Sequence, residues 1–117
     1  MVQSLTKTDT KWVDICAVDD INPNTGVCAL VGGEQVAIFR VGNGEEVYAL
    51  SNYDPFSKAF VLSRGIVGDR NGTIKVASPI YKQNFALATG VCLDDDTVSV
   101  PTYSTRIALG RVQVAYN

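Results

Sequence analysis

The chain has no histidine among its 117 residues, three cysteines, a single tryptophan and four prolines. Without an imidazole there is no histidine general base, no Ser-His-Asp or Cys-His nucleophile, and no histidine ligand for zinc, haem or Rieske iron. No run of 18 or more apolar residues occurs, so no membrane-spanning helix is expected. The polar stretch Met1 to Lys11 has no apolar segment long enough for a secretory signal. The expectation from both is a cytoplasmic protein with no membrane partner. Cys16, Cys28 and Cys92 are odd in number, widely spaced and without a C-x-x-C pair. That excludes a zinc ribbon or redox dithiol and predicts three small buried hydrophobes; a reactive thiol would need a neighbouring cation or helix N-terminus.

Charge is mild. Ten basic residues stand against twelve acidic ones, and neither half of the chain carries a basic cluster, so nucleic acid is not expected as a partner. Hydrophobic residues make up 46% and charged residues 19%, the balance of a folded soluble domain. This length fits one domain over 1–117, with 1–11 read as a flexible N-terminal segment.

Short β-rich runs separated by turn signals predict an all-β, antiparallel domain. Trp12–Cys16 reads as a strand. Cys28–Val31 and Gln35–Val41 form a hairpin across Gly32-Gly33-Glu34, and Asn43-Gly44 turns into Glu46–Ser51. Val67 and Thr73–Ala77 flank a turn at Asp69-Arg70-Asn71-Gly72. Tyr103–Leu109 and Arg111–Tyr116 meet at Gly110, and in the latter Val112, Val114 and Tyr116 share one face. The best candidate for a helical turn is Asp54–Leu62, with Pro55 at its start. No linker or internal repeat is evident.

Two local patterns reduce to turns. Asp94-Asp95-Asp96 lacks the alternation, glycine and terminal Glu of a calcium loop and reads as a solvated turn. Gly65–Gly72 has neither a G-K-[ST] ending nor a G-x-G-x-x-G pattern, so its glycines are expected at positive-φ turn positions. A third pattern is less local. Tyr53–Ala59 and Ala77–Phe85 each follow a strand, carry a proline near the tip and place apolar groups in a loop. The two tips meet if the intervening hairpin folds back. They then either pack a small satellite core or form an apolar docking surface.

At these residues the chain resembles the Rieske-type ferredoxin domains, whose cluster loops read C-P-H before a Leu-Ser-x-Gly stretch, and later C-P-x-H. Here Asp54-Pro55-Phe56 leads to Leu62-Ser63-Arg64-Gly65, and Ser78-Pro79-Ile80-Tyr81 leads to Leu87-Ala88-Thr89-Gly90. The resemblance implies an antiparallel β-sandwich or barrel with two cluster-type loops. The four ligand positions hold Asp54, Phe56, Ser78 and Tyr81. A Rieske centre needs two thiolates and two imidazoles, so no cluster and no electron carriage is expected of this chain.

Among such sequences the chain is most similar to the family of small subunits of assimilatory NAD(P)H-dependent nitrite reductase. The similarity lies in Asp19–Leu30, Val36–Arg40, Ser51–Phe56, Leu62–Arg70 and Ser78–Gln83, within about residues 12–116. It implies a partner, the nitrite reductase large subunit, which holds FAD, sirohaem and an iron–sulfur cluster and reduces nitrite to ammonia in nitrate assimilation. This chain would then hold no cofactor, no metal and no catalytic residue. Pro55, Phe56, Ile80 and Tyr81 would cluster at the former cluster pole, touching either each other or the large subunit, with Asp54 capping the turn after it. The alternative is a free-standing, cluster-less Rieske-like module that binds another protein.

Overall fold

A computed structural model describes residues 11–42 and 46–116. Twelve strands occupy them: β1 (Lys11–Ala17), β2 (Thr25–Val31), β3 (Glu34–Val41), β4 (Glu46–Ser51), β5 (Tyr53–Asp54), β6 (Ala59–Phe60), β7 (Ile66–Arg70), β8 (Thr73–Ala77), β9 (Asn84–Ala86), β10 (Thr102–Tyr103), β11 (Thr105–Ala108) and β12 (Arg111–Tyr116). All named pairings are antiparallel. The sheets run β1-β12-β11, β10-β4-β3-β2, β5-β6 and β7-β8-β9. The expectation of an all-β antiparallel domain is met.

The four-stranded sheet lies in the middle because β3 is apolar on both faces. Val36, Ala37, Ile38 and Phe39 are all fully buried. Side chains alternate along a strand, so Val36 and Ile38 enter one core with Val112 and Val114, while Ala37 and Phe39 enter a second with Leu62, Val76 and Phe85. β4 divides in the same way, Val47 and Ala49 to the first core and Leu50 to the second. The first core joins the middle sheet to β1-β12-β11; the second joins it to β7-β8-β9 and the loops above them.

Three two-residue hairpin turns have both residues at positive φ: Gly32-Gly33, Asn71-Gly72 and Leu109-Gly110. This conformation matches the twist of the strands it joins. The turn between β7 and β8 is therefore shorter than expected, and Asp69 and Arg70 belong to the strand. Leu109 likewise leaves its strand for the turn. The run Tyr103–Leu109 is broken at Ser104, where the chain changes sheets: β10 pairs with β4 and β11 with β12.

Other expectations are corrected. Asp54–Leu62 is no helical segment but the β5–β6 hairpin followed by a 3-10 turn at Leu62–Arg64. Nine residues of helix would separate their ends by about 12 Å, whereas the Leu62 N–H donates to the Asn52 carbonyl at 3.1 Å. Of the glycines in Gly65–Gly72, only Gly72 has positive φ. Gly65 is required by close approach instead, since a Cβ there would lie 2.3 Å from the Ala77 carbonyl oxygen. Cys92 is buried and Cys16 half-buried, but Cys28 is exposed, because it falls on the outward face of β2. The Asn43-Gly44 turn and residues 1–10 of the N-terminal segment lie outside the described residues, and Lys11 is already the first residue of β1. No helix among the described residues is long and apolar enough to cross a membrane.

Phe39→Ala removes the largest side chain that β3 contributes to the second core. It is expected to lower stability by about 3–5 kcal/mol, the range for Phe→Ala in a packed interior, with the urea midpoint falling accordingly.

Candidate functional site

The two proline-bearing loops meet, and their meeting point is a buried carboxylate. Asp54 ends β5 and Ser78 follows β8, and both are fully buried. The Ser78 hydroxyl donates to Asp54 Oδ2. The same oxygen accepts from the Ser57 hydroxyl at 2.8 Å, and Oδ1 accepts from the Phe56 N–H at 2.9 Å. Asp54 therefore caps the turn after it, as expected, and also ties that turn to the second loop. Burial pushes its carboxyl pKa up, but the Ser78 and Ser57 hydroxyls and the Phe56 and Ser57 N–H groups outweigh this and hold it below the ordinary value.

The loops are local copies of each other, a repeat not noticed in the sequence. Asp54-Pro55-Phe56-Ser57-Lys58 and Ser78-Pro79-Ile80-Tyr81-Lys82 share the form x-Pro-x-x-Lys. In each, the lysine N–H donates to the carbonyl of the first residue, at 2.7 Å for Lys58 and 3.1 Å for Lys82. Each lysine is left-handed, φ 60° and 68°. In each, the first side chain accepts the N–H two residues on: Asp54 from Phe56, and Ser78 from Ile80 at 3.4 Å.

Two buried asparagines hold the loops in place, and neither was singled out from sequence. Asn52 joins β4 to the first loop. Its Oδ1 accepts the Ser63 N–H at 2.7 Å and its Nδ2 donates to Gln35 Oε1 at 3.2 Å, so the 3-10 turn is fastened to β3. Asn84 opens β9 at the foot of the second loop; its N–H and Nδ2 both donate to Asp94 Oδ2, at 2.8 and 3.1 Å. Asp94 also takes Arg70 at 3.1 Å, and Asp95 Oδ1 caps Thr97. Asp94 and Asp95 of the three-aspartate segment thus serve as local hydrogen-bond acceptors. An Asp or Asn beside a strand end signals such caps only weakly, since its partner is remote in sequence.

The apolar residues of the two loop tips do not all face one way. The Phe56 ring lies 6.1 Å from that of Phe85 and packs on the second core. Pro55 is half-buried, whereas Ile80 and Tyr81 are exposed. At the loop tips, Phe56 packs beneath, while Ile80 and Tyr81 are open to solvent. Of the thiols, Cys28 Sγ accepts from Asn52 Nδ2 at 3.4 Å, Cys92 is buried in the second core and Cys16 packs against the first. Burial pushes Cys16 and Cys28 up in pKa, and Asp20 adds to the effect at Cys16.

The family profile described as a Rieske-like [2Fe-2S] domain matches residues 11–115. The nitrite reductase (NADH) small subunit of Salmonella typhimurium is 51% identical over 105 residues, which is 90% of this chain and 97% of that protein. A crystal structure of an NADH-dependent nitrite reductase small subunit from Mycobacterium tuberculosis superposes with TM-score 0.88 at 53% identity, covering 92% of this chain and 96% of that one. A segment of the nitrite reductase [NAD(P)H] large subunit of Klebsiella oxytoca is 41% identical over 103 residues, 88% of this chain but 11% of that protein.

The residues do not fit the cluster in the family's description. Phe56 has no donor atom and its ring is packed into the core. Asp54 and Ser78, in the thiolate positions, are joined to each other by a hydrogen bond. Tyr81 offers a phenol where an imidazole would stand.

Asp54→Ala leaves two hydroxyls and an N–H without their acceptor and is expected to cost about 2–4 kcal/mol; Asp54→Asn, which keeps an acceptor for Phe56, is expected to cost less. Because the folded carboxyl pKa lies below its ordinary 3.8, the stability Asp54 contributes is complete above about pH 5 and lost as pH falls through the folded value. Urea unfolding of wild type and Asp54→Asn should therefore converge toward pH 3.

Proposed function

Since the chain belongs to the Rieske-like [2Fe-2S] domain family and, within it, to the nitrite reductase small subunits, we propose that it is the non-catalytic small subunit of a cytoplasmic NAD(P)H-dependent nitrite reductase serving nitrate assimilation. Its partner is the large subunit, which carries the FAD, sirohaem and iron–sulfur cluster and performs the reduction. This chain holds no cluster itself. The observation that carries the reading is the Ser78–Asp54 hydrogen bond. Two positions that would supply thiolates to one iron are bound to each other, and the positions that would supply imidazoles hold rings without a ring nitrogen. The Klebsiella oxytoca large subunit, which contains a segment like this chain, supports the choice of partner.

At the pole, Phe56 is a packing residue, while Ile80 and Tyr81, with Pro55 beside them, contact the large subunit. Tyr81→Ser should weaken association with that subunit at least fivefold and shift the melting temperature by no more than about 2 °C. Phe56→Ser should lower the melting temperature by several degrees. A Tyr81→Ser chain that binds like wild type would remove the docking role.

The isolated chain should contain no iron and show no visible absorption band after purification under anaerobic conditions. In native extract it should co-purify with a large flavin- and sirohaem-containing chain. Reproducible charge-transfer bands with stoichiometric iron would overturn the cluster-free assignment. A lone chain in that extract, with nitrite reduction unchanged on its deletion, would favour a free-standing protein-binding module.

A further inference from the structure

Charge is divided between two parts of the fold. Residues 53–93 form both loops and the β7-β8-β9 sheet, and hold Lys58, Arg64, Arg70, Lys75 and Lys82 against Asp54 and Asp69 alone. The rest of the chain carries five basic and ten acidic residues. Of the two acids in the basic part, Asp54 is buried beneath its donors and Asp69 sits on β7, away from the loop tips. Arg70 is taken up by Asp94. Lys58, Arg64 and Lys82 are exposed, and none of them is in an ion pair among the described residues.

Apolar exposure is concentrated at the same end. Phe60, Ile66, Ile80 and Tyr81 are between 45% and 73% exposed, and they are four of the six large hydrophobic side chains exposed among the described residues. Strand register places them together. Phe60 pairs with Tyr53, one residue before Asp54, and Ile66 pairs with Ala77, one residue before Ser78. Ile80 and Tyr81 lie inside the second loop. The Asp54–Ser78 bond thus draws all four to one pole.

The lysines carry a third observation. Lys58 and Lys82 close their loops through backbone N–H groups, a role any residue but proline fills, and they do so at positive φ, where glycine or asparagine is less strained. An ammonium is kept at both matching positions; Lys82 Nζ donates to the Pro79 carbonyl of its own loop at 3.3 Å, whereas Lys58 Nζ has no hydrogen bond among the described residues. At Lys58, strain retained for a side chain that the loop closure does not use points outward, to something that side chain meets.

We propose that this pole is an electrostatically steered docking face: an apolar centre of Phe60, Ile66, Ile80 and Tyr81 bordered by Lys58, Arg64 and Lys82, fitting an apolar patch bordered by carboxylates on the large subunit. This rests on the reading that the large subunit is the partner. In a chain with net charge −2, the separation of charge orients the approach, and border charges act chiefly on the association rate.

The test uses the purified large subunit, immobilised, with the full small chain as analyte at 50 and 300 mM NaCl. The wild-type association rate should fall about tenfold at the higher salt. The triple variant Lys58→Glu/Arg64→Glu/Lys82→Glu should associate about tenfold more slowly at 50 mM and lose its salt dependence. Arg106→Glu, on the far sheet, should change the rate less than twofold. A rate independent of salt, or a triple variant that binds like wild type, overturns the docking face while the partner assignment stands. No binding at either salt overturns the partner assignment, and this face with it. The wild-type salt series decides the matter even if the triple variant fails to fold.

Discussion

The architecture depends on one strand that has no solvent face. Four consecutive residues of β3, Val36 to Phe39, are fully buried. A strand of this kind cannot lie on the outside of a two-layer sandwich, because one of its faces would then meet water. It requires a sheet on each side, and both cores grow from it. The first lies between the middle sheet and β1-β12-β11. The second supports the loops, through Leu62 beneath the 3-10 turn and Phe85 beneath Phe56. The pole is therefore an extension of the core that Phe39 begins, and Asn52 fastens it to the neighbouring residue Gln35 on the same strand.

Upon that support, Asp54 does by hydrogen bonding what metal ligation does in a cluster-bearing domain: it joins two loops that no sheet joins. The means differ in strength and in what they demand. Hydrogen bonds to a charged group contribute about 1.5–3 kcal/mol each, so three or four converging donors hold the two loops together. Beside that network, the Phe56 ring packs on Phe85 and the second core.

Most of the strands were legible in the sequence, because alternation and two-residue turns are local signals. Val112 and Val114 were read to the correct face, and Gly32-Gly33 to the correct turn. The misreadings lie where the deciding partner is distant. Asp54–Leu62 has helical composition, but the Asn52 carbonyl and side chain bring its far end back. Gly65 is small because of a carbonyl on β8 rather than its own φ. The break at Ser104 follows from two different sheets competing for one run. At the site, the meeting of the two proline-bearing loops was legible in the sequence, whereas Ser57, Asn52 and Asn84 enter only through hydrogen bonds that the sequence does not announce. The charge division was hidden by counting halves, since the basic segment begins at residue 53 and ends at 93 rather than at the middle of the chain.

That division bears on why this pole is so open in a chain of this kind. In the Klebsiella oxytoca relative the similar segment is part of the large chain itself. A tether gives an effective concentration in the millimolar range, so an interface of about 4 kcal/mol keeps such a domain in place. A separate chain at micromolar concentration needs about 8 kcal/mol for the same occupancy. The difference, about 4 kcal/mol, has to come from surface the tethered form need not carry. Two or three large side chains removed from water at the centre of an interface supply that much. Phe60, Ile66, Ile80 and Tyr81 are the described residues free to do so, being apolar, exposed and gathered at one end. Left uncovered, such a patch is a liability for solubility. On the docking proposal, the lysines and arginine around it restrict what can cover it, because a partner would have to bring carboxylates to the border before the apolar centre closes.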